Sequence, residues 1–345
     1  MTFKVVNTFV IPEIDYGDSL LDSLDAEMER GQWTTEKDLI AHCKDADAVI
    51  CTSPGQEWSE RVLNSFSKCR IIATTSIGYD RIPLETATKQ TIAVTNIPDY
   101  CIDEVSSQAI ALIMALARKL FQLDGEVREK RTHFTPLNRE AVRKILNPIL
   151  RTRDQVLGII GFGKIGTAVA LKARGLGMKV IAYDPYVLGA IMHTHGVEPV
   201  DLDTLLRESD VISINANLTS ETRNMIGEEA FKKMKPTCYL VNTARGGIVD
   251  QDALVKALQN GVIAGAGLDV LAVEPIPEND PLLRMPNVIL TGHSAWYSNT
   301  SDSPTEFWHK AMGQVIMALK GEFPTYTVNP EVKKEWLSKW GSAQG

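Results

Sequence analysis

Short apolar runs recur along this chain, separated by stretches in which apolar positions fall three and four residues apart. The runs are Lys4 to Val10, Ala48 to Cys51, Ile71 to Thr74, Ile92 to Thr95, Val156 to Ile160, Lys179 to Tyr183, Val211 to Asn215, Cys238 to Asn242, Gly265 to Leu268 and Val288 to Leu290. Each is brief, mostly β-branched or aliphatic, and lacks the polar alternation of a half-solvated strand. Strands of this kind are covered on both faces, which predicts parallel sheets flanked by helices in an α/β protein. From Glu104 to Leu120 the apolar residues Ile110, Leu112, Ile113 and Leu116 recur too densely for a solvent-facing helix. That density predicts a buried helix that serves as an interface or a hinge. The alternation breaks at Asn96-Ile97-Pro98-Asp99-Tyr100 and again near Asn299 to Pro304. A final helix over Thr305 to Leu319 is expected to return to the first domain. The polar tail beyond Val332, with Trp336 and Trp340, is expected to dock loosely.

The chain has 345 residues, which suits two domains with full cores. Its net charge of -7 argues against a nucleic-acid surface and against adhesion to anionic membranes. No apolar run reaches bilayer length, and the first residues carry no cleavable signal pattern. Five cysteines, Cys43, Cys51, Cys69, Cys101 and Cys238, lie scattered in apolar contexts without metal-ligand spacing. They read as reduced, buried thiols of a cytoplasmic protein. Cys101 falls in the expected hinge but has no base beside it in the sequence. His193 and His195 read as surface residues, with no third ligand nearby for a metal.

The strand Val156 to Ile160 runs directly into Gly161-Phe162-Gly163-Lys164-Ile165-Gly166, and a helical stretch follows. Gly161 permits the tight turn, Gly163 lets backbone approach a pyrophosphate, and Gly166 lets helix and strand pack closely. The pyrophosphate would sit on the helix N-terminus. The next strand ends at Asp184, about 20 residues on, where an acid binds a ribose and repels a 2′-phosphate. Tyr183-Asp184-Pro185-Tyr186 holds no arginine, so the pattern favours NAD over NADP.

Titratable residues also follow three later strands. They are Arg245 in Val241-Asn242-Thr243-Ala244-Arg245-Gly246-Gly247-Ile248-Val249-Asp250, Asp269 in Gly267-Leu268-Asp269-Val270 with Glu274-Pro275 close behind, and His293 in Thr291-Gly292-His293-Ser294-Ala295-Trp296-Tyr297-Ser298. The carboxyl ends of parallel strands line the ligand crevice, so these side chains can meet there. Histidine suits proton transfer near neutral pH, a glutamate on its far nitrogen would hold its tautomer, and arginine offers a planar fork for carboxylate and carbonyl oxygens. Each also has a structural reading, with Arg245 in a salt bridge, Glu274 as a solvated acid and His293 in the core.

With these four segments in this order, the chain resembles the D-isomer-specific 2-hydroxyacid dehydrogenases over roughly residues 50 to 330. The resemblance implies a Rossmann NAD-binding domain over 103–298 inserted into a flavodoxin-like substrate domain, 1–102 plus 299–345, with a cleft between two doubly wound parallel-sheet domains. It implies that Arg245 binds substrate, that His293 is general acid and base, and that Glu274 is its partner. Asp269 would contact the nicotinamide end. Further cofactor contacts are implied at Lys164, Ile165, Ala216, Thr243 and Ala244, and we add Asn217 and Thr222 in the same loops. The substrate carboxylate would be held by Thr75-Ser76-Ile77-Gly78-Tyr79-Asp80, with Ser76, Ile77, Gly78 and Tyr79 as contacts. The expected partners are a small 2-oxo or 2-hydroxy acid and a second copy in a homodimer.

The chain departs from the family at Gly292, where proline is common, and at Asn215 and Asn217, where histidine and proline are common. Ala295-Trp296-Tyr297-Ser298 is similar to a subgroup that includes the C-terminal-binding-protein corepressors, alongside hydroxypyruvate reductases and phosphoglycerate dehydrogenase-like proteins. Trp296 either closes over the substrate or packs as a core or interface tryptophan. Two functions remain open at this point, a 2-hydroxyacid dehydrogenase and an NAD-responsive corepressor-like scaffold. A formate- or phosphite-using relative is disfavoured by Glu274, because the formate enzymes lack that partner.

Overall fold

The computed structural model describes residues 2–11, 15–52, 55–130, 151–298 and 304–342, together with 143, 145, 146 and 149. The chain forms two compact units, one of Met1–Tyr100 with Ser298–Gly345 and the other of Cys101–Tyr297.

The first unit contains five parallel strands, β1 (Phe3–Asn7), β2 (Ala26–Arg30), β3 (Ala48–Cys51), β4 (Ile71–Thr74) and β5 (Ala93–Thr95), in the order β2-β1-β3-β4-β5. This is the flavodoxin-like doubly wound order. Val6, Val49, Ile72 and Val94 point into one apolar layer with Leu39, Val62, Leu63 and Ala87 from the helices on that face. The helix Pro304–Leu319 packs on β3 and β4, as its apolar spacing predicts. The edge strand β5 is covered by the chain's own C-terminal part. Asn329 accepts from Val94 N at 2.9 Å and donates to Ile92 O at 3.0 Å. The tail is therefore not loosely docked. Trp336 has 0% exposure, and its indole N–H donates to Arg70 O at 2.8 Å.

The second unit holds seven parallel strands, β6 (Val156–Ile160), β7 (Lys179–Tyr183), β8 (Glu198–Pro199), β9 (Val211–Ile214), β10 (Tyr239–Asn242), β11 (Gly265–Leu268) and β12 (Val288–Leu290), in the order β12-β11-β10-β9-β6-β7-β8. The order reverses between β6 and β9, which makes the ends of those strands the ligand-binding switch point of a Rossmann sheet. Alternate side chains of one strand enter opposite layers. Leu157 and Ile159 meet helices Ile102–Ala117 and Lys164–Gly175, whereas Ile160 meets Leu205, Phe231 and Leu254 of the other face. The helix Ile102–Ala117 is buried as expected, but against its own sheet, through Ala109, Leu112, Ile113 and Leu116. It stops before Lys119, which takes φ 51°, and a separate helix begins at Leu120.

Candidate active site

The glycine turn sits at the switch point. Gly161 takes φ 89°, and a Cβ there would lie 2.6 Å from Ala216 N in the loop after β9, so only glycine fits both the backbone and the approach. Gly166 lies buried in the first helical turn against the Gly161 carbonyl. Lys164 begins the helix and is exposed, and Ile165 is half-buried beside it. Helices Leu202–Glu208 and Gln251–Gln259 are capped by the side chains of Asp201 and Asp250. The helix Lys164–Gly175 has Gly163 at its cap and no side-chain cap, and a Cβ on Gly163 would meet nothing within 4 Å. Its N-terminal amides are therefore presented to open space with the positive end of the helix dipole behind them.

Asp184 follows β7 and touches the same turn. One carboxylate oxygen accepts from Phe162 N at 2.8 Å and the other from Tyr186 N at 2.9 Å. On the other side of β6, Thr222 Oγ1 donates to Asn217 O at 2.6 Å and accepts from Thr219 N, which closes the loop that carries Ala216 and Asn217. Asn215 Oδ1 and Thr243 Oγ1, at the ends of the adjacent strands β9 and β10, are buried without a hydrogen-bond partner. Buried polar atoms ordinarily find partners. The open glycine turn, uncapped amides, strand-end acid and two orphaned polar atoms, an amide oxygen and a hydroxyl, together fit a dinucleotide.

The residues expected to do the chemistry gather at the carboxyl ends of β10, β11 and β12. His293 Nδ1 lies 2.7 Å from Glu274 Oε2, while Glu274 Oε1 accepts from Leu271 N at 2.8 Å. Partial burial works against the charge on Glu274. The bonds from His293 and Leu271 and the Arg245 charge outweigh it and hold the carboxyl below its ordinary value. Arg245 is thus brought electrostatically to the pair. Its backbone is fixed by Asn242 Nδ2 donating to Arg245 O at 2.9 Å, and its guanidinium donates to Ala244 O at 2.8 Å. Gly246 makes the approach possible, because a Cβ there would lie 1.9 Å from the Leu271 carbonyl carbon.

Asp269 is 2% exposed and holds the histidine loop from below. Its carboxylate accepts from Thr291 Oγ1 at 2.6 Å, Ser294 N at 3.1 Å and Ala295 N at 3.1 Å, and its carbonyl accepts from His293 N at 2.8 Å. Gln108 Nε2 donates to Thr291 Oγ1 at 3.2 Å and extends this support into the buried helix. The sequence placed Thr291 in the histidine segment without a role for it and did not point to Gln108, because a polar residue at a strand end and one on a helix carry no pattern of their own. Trp296 is half-buried, and its indole N–H donates to His293 O at 3.0 Å, bracing the same loop.

The loop Ser76 to Tyr79 lies in the first unit, half-buried after β4. Ser76 O accepts from Ile97 N, Ile77 O from Asn96 Nδ2 and Gly78 O from Ser76 Oγ. All five cysteines are buried and unpaired by disulfides, Cys101 included. His193 is exposed and His195 half-exposed. Among the described residues no helix is long and apolar enough to cross a membrane.

Comparison with known proteins follows the same lines. The sequence profile of the D-isomer specific 2-hydroxyacid dehydrogenase NAD-binding domain matches residues 110–295. A glyoxylate reductase of Korarchaeum cryptofilum is 39% identical over 319 residues, covering 91% of this chain and 93% of that one. The crystal structure of a glyoxylate reductase from Paecilomyes thermophila superposes with a TM-score of 0.81 at 26% identity, over 96% of this chain and 99% of the other. A D-lactate dehydrogenase from Aquifex aeolicus, complexed with NAD and lactic acid, gives 0.78 at 29% identity over 96% and 98% of the two chains. These relatives are enzymes by name and favour the dehydrogenase over the scaffold. The chain belongs to the D-isomer-specific 2-hydroxyacid dehydrogenase family and is an NAD-dependent oxidoreductase that moves a hydride between nicotinamide and C2 of a 2-hydroxy or 2-oxo acid.

Proposed function

We propose that this protein is a 2-oxoacid reductase that takes glyoxylate or a close homologue, with His293 as proton donor and Arg245 as substrate anchor. The observation that carries the reading is the 2.7 Å bond between His293 Nδ1 and Glu274 Oε2. That bond occupies Nδ1 and leaves Nε2 for the substrate, so Nε2 donates the proton to the carbonyl oxygen in reduction and takes it back in oxidation. The nicotinamide supplies or receives the hydride. Arg245 fixes the 2-oxo acid through its planar fork and polarises the carbonyl. Positioning of this kind lowers a barrier by several kcal/mol.

In this proposal residues 103–298 are the cofactor domain and 1–102 with 299–345 the substrate domain, close to the bounds of the two compact units. The amides of Ile77 and Gly78 have no acceptor among the described residues, which suits a role for Ser76 to Tyr79 in holding the substrate carboxylate. Gly161, Gly163, Lys164, Ile165, Gly166, Asp184, Ala216, Asn217, Thr222, Thr243, Ala244 and Asp269 are assigned to the cofactor. Trp296 is assigned to the substrate side chain. Five buried thiols outside disulfides suit a reducing compartment, and we place the protein in the cytoplasm. We also assign it a homodimeric state. Leu120, Phe121 and Val127 are 52%, 62% and 43% exposed on the helix Leu120–Lys130, and light scattering tests that assignment.

The deciding experiment follows NADH oxidation with glyoxylate, hydroxypyruvate, pyruvate, phenylpyruvate and branched 2-oxo acids. Glyoxylate is expected to give the highest kcat/KM. Intact NADH binding with no turnover of any 2-oxo acid would instead select the scaffold.

A further inference from the structure

Tyr186 and Glu221 have no part in the scheme above, yet their side chains are hydrogen-bonded to each other. Tyr186 lies in the loop after β7 and Glu221 in the loop after β9, and β6 with its glycine turn runs between those two strands. Both loops touch the turn. Asp184 binds Phe162 N on one side, and Ala216 abuts Gly161 on the other. Tyr186 is tied to Asp184 through its own amide at 2.9 Å, and Glu221 is tied to Thr219 through its amide at 3.2 Å. Thr222 then returns the chain to Asn217 O. The contacts thus make a closed ring around the glycine turn, and the Tyr186–Glu221 bond is the one link made by two exposed side chains.

In a Rossmann sheet the strands on the β6-β7-β8 side serve the adenosine half of the dinucleotide. Asp184 and Tyr186 therefore lie at the adenosine end, and the ring ties that end to the loop after β9. We propose that Tyr186 and Glu221 form a clasp over the adenosine ribose, which slows dinucleotide release and sets a second carboxylate against a 2′-phosphate. Asp184 supplies the first carboxylate, and its charge also faces the Tyr186 hydroxyl. The proposal rests on the assignment of Asp184 to the ribose. The phenol donates and Glu221 accepts, so the link itself needs only an acceptor oxygen. The discrimination needs the charge.

Two variants separate these contributions. Tyr186→Phe removes the link at an exposed position. Glu221→Gln keeps an acceptor oxygen and removes the charge. Stopped-flow fluorescence of NADH release and equilibrium titration with NADH and NADPH read the outcome without turnover. Tyr186→Phe is expected to raise the NADH dissociation rate about threefold to fivefold, the scale of one exposed polar contact. Glu221→Gln is expected to leave that rate near wild type while improving NADPH binding relative to NADH by a similar factor. An unchanged dissociation rate in Tyr186→Phe, or an unchanged NADPH to NADH ratio in Glu221→Gln, overturns the proposal. Asp184→Ser run alongside should shift the same ratio. If it does not, the ribose assignment fails and the clasp fails with it.

Discussion

His293 takes φ 55°, a left-handed conformation that costs a non-glycine residue on the order of 1–3 kcal/mol. The conformation persists because the surroundings hold it. The His293 amide donates to Asp269 O and Thr291 O, the carbonyl accepts from Trp296, and the ring is bonded to Glu274. Replacing His293 with Ala should cut kcat by about 10²–10⁴ while NADH binding stays intact, measured by steady-state kinetics and fluorescence titration. Loss of NADH binding would make the residue structural. Gly292, the departure from the family's proline, has room around it, since a Cβ there meets nothing within 4 Å. Gly292→Ala should therefore raise stability by about 0.4–1 kcal/mol in urea unfolding with activity retained. A net loss would mean that the loop needs glycine's freedom. Glu274 has a folded pKa below its ordinary 4.5, so its contribution to stability is complete above pH 4.5 and disappears as pH falls through the lowered value. Wild type should lose more stability than Glu274→Gln on going from neutral pH to below the carboxylate range. Equal losses would remove the linkage. Which residues carry charge at strand ends was legible in the sequence. That Asp269 and Thr291 support the histidine loop was not, because those bonds join the ends of two different strands that meet only in the folded sheet.

At the scale of elements, apolar runs marked ten of the strands, the edge strands β5 and β12 among them, and left β2 and β8 unmarked. β2, Ala-Glu-Met-Glu-Arg, is half-exposed along its length, and β8 is only Glu198–Pro199. Both are edge strands, where one side of the ladder faces solvent and apolar continuity is not required. The helix expected over Glu104 to about Leu120 is found as Ile102–Ala117, and a second, more exposed helix that was not expected begins at Leu120, after Lys119. Caps tell the opposite story from the cofactor helix. Asp250 accepts from Ala253 N at 3.0 Å and starts the helix just after the Arg245 turn. Asp250→Ala should cost about 1 kcal/mol in urea unfolding. A cost near zero would mean that the cap does not hold that turn.

At the scale of the whole molecule, all five thiols are buried. Burial pushes Cys43 and Cys238 up to about 12 from an ordinary 9.0. These thiols favour the folded state below pH 9, and the advantage fades as pH rises and the unfolded chain ionises first. An aromatic disulfide reagent at mildly alkaline pH should find none of the five in the native protein and all five after denaturation. Rapid labelling of the native protein would contradict the burial. Local patterns along the chain already determined three things: apolar runs called for parallel sheets, the glycine motif with Asp184 called for a dinucleotide turn after β6, and an arginine, a glutamate and a histidine followed later strands. They could do so because those features are written in residues close together along the chain. Only the tertiary structure decided the strand orders, the fully buried Trp336 in the tail and the support from Asp269, and it gave the expected His293–Glu274 pair its bond. Each of these joins positions far apart in sequence, and such pairs meet only after burial of the apolar strands has fixed where the loops lie.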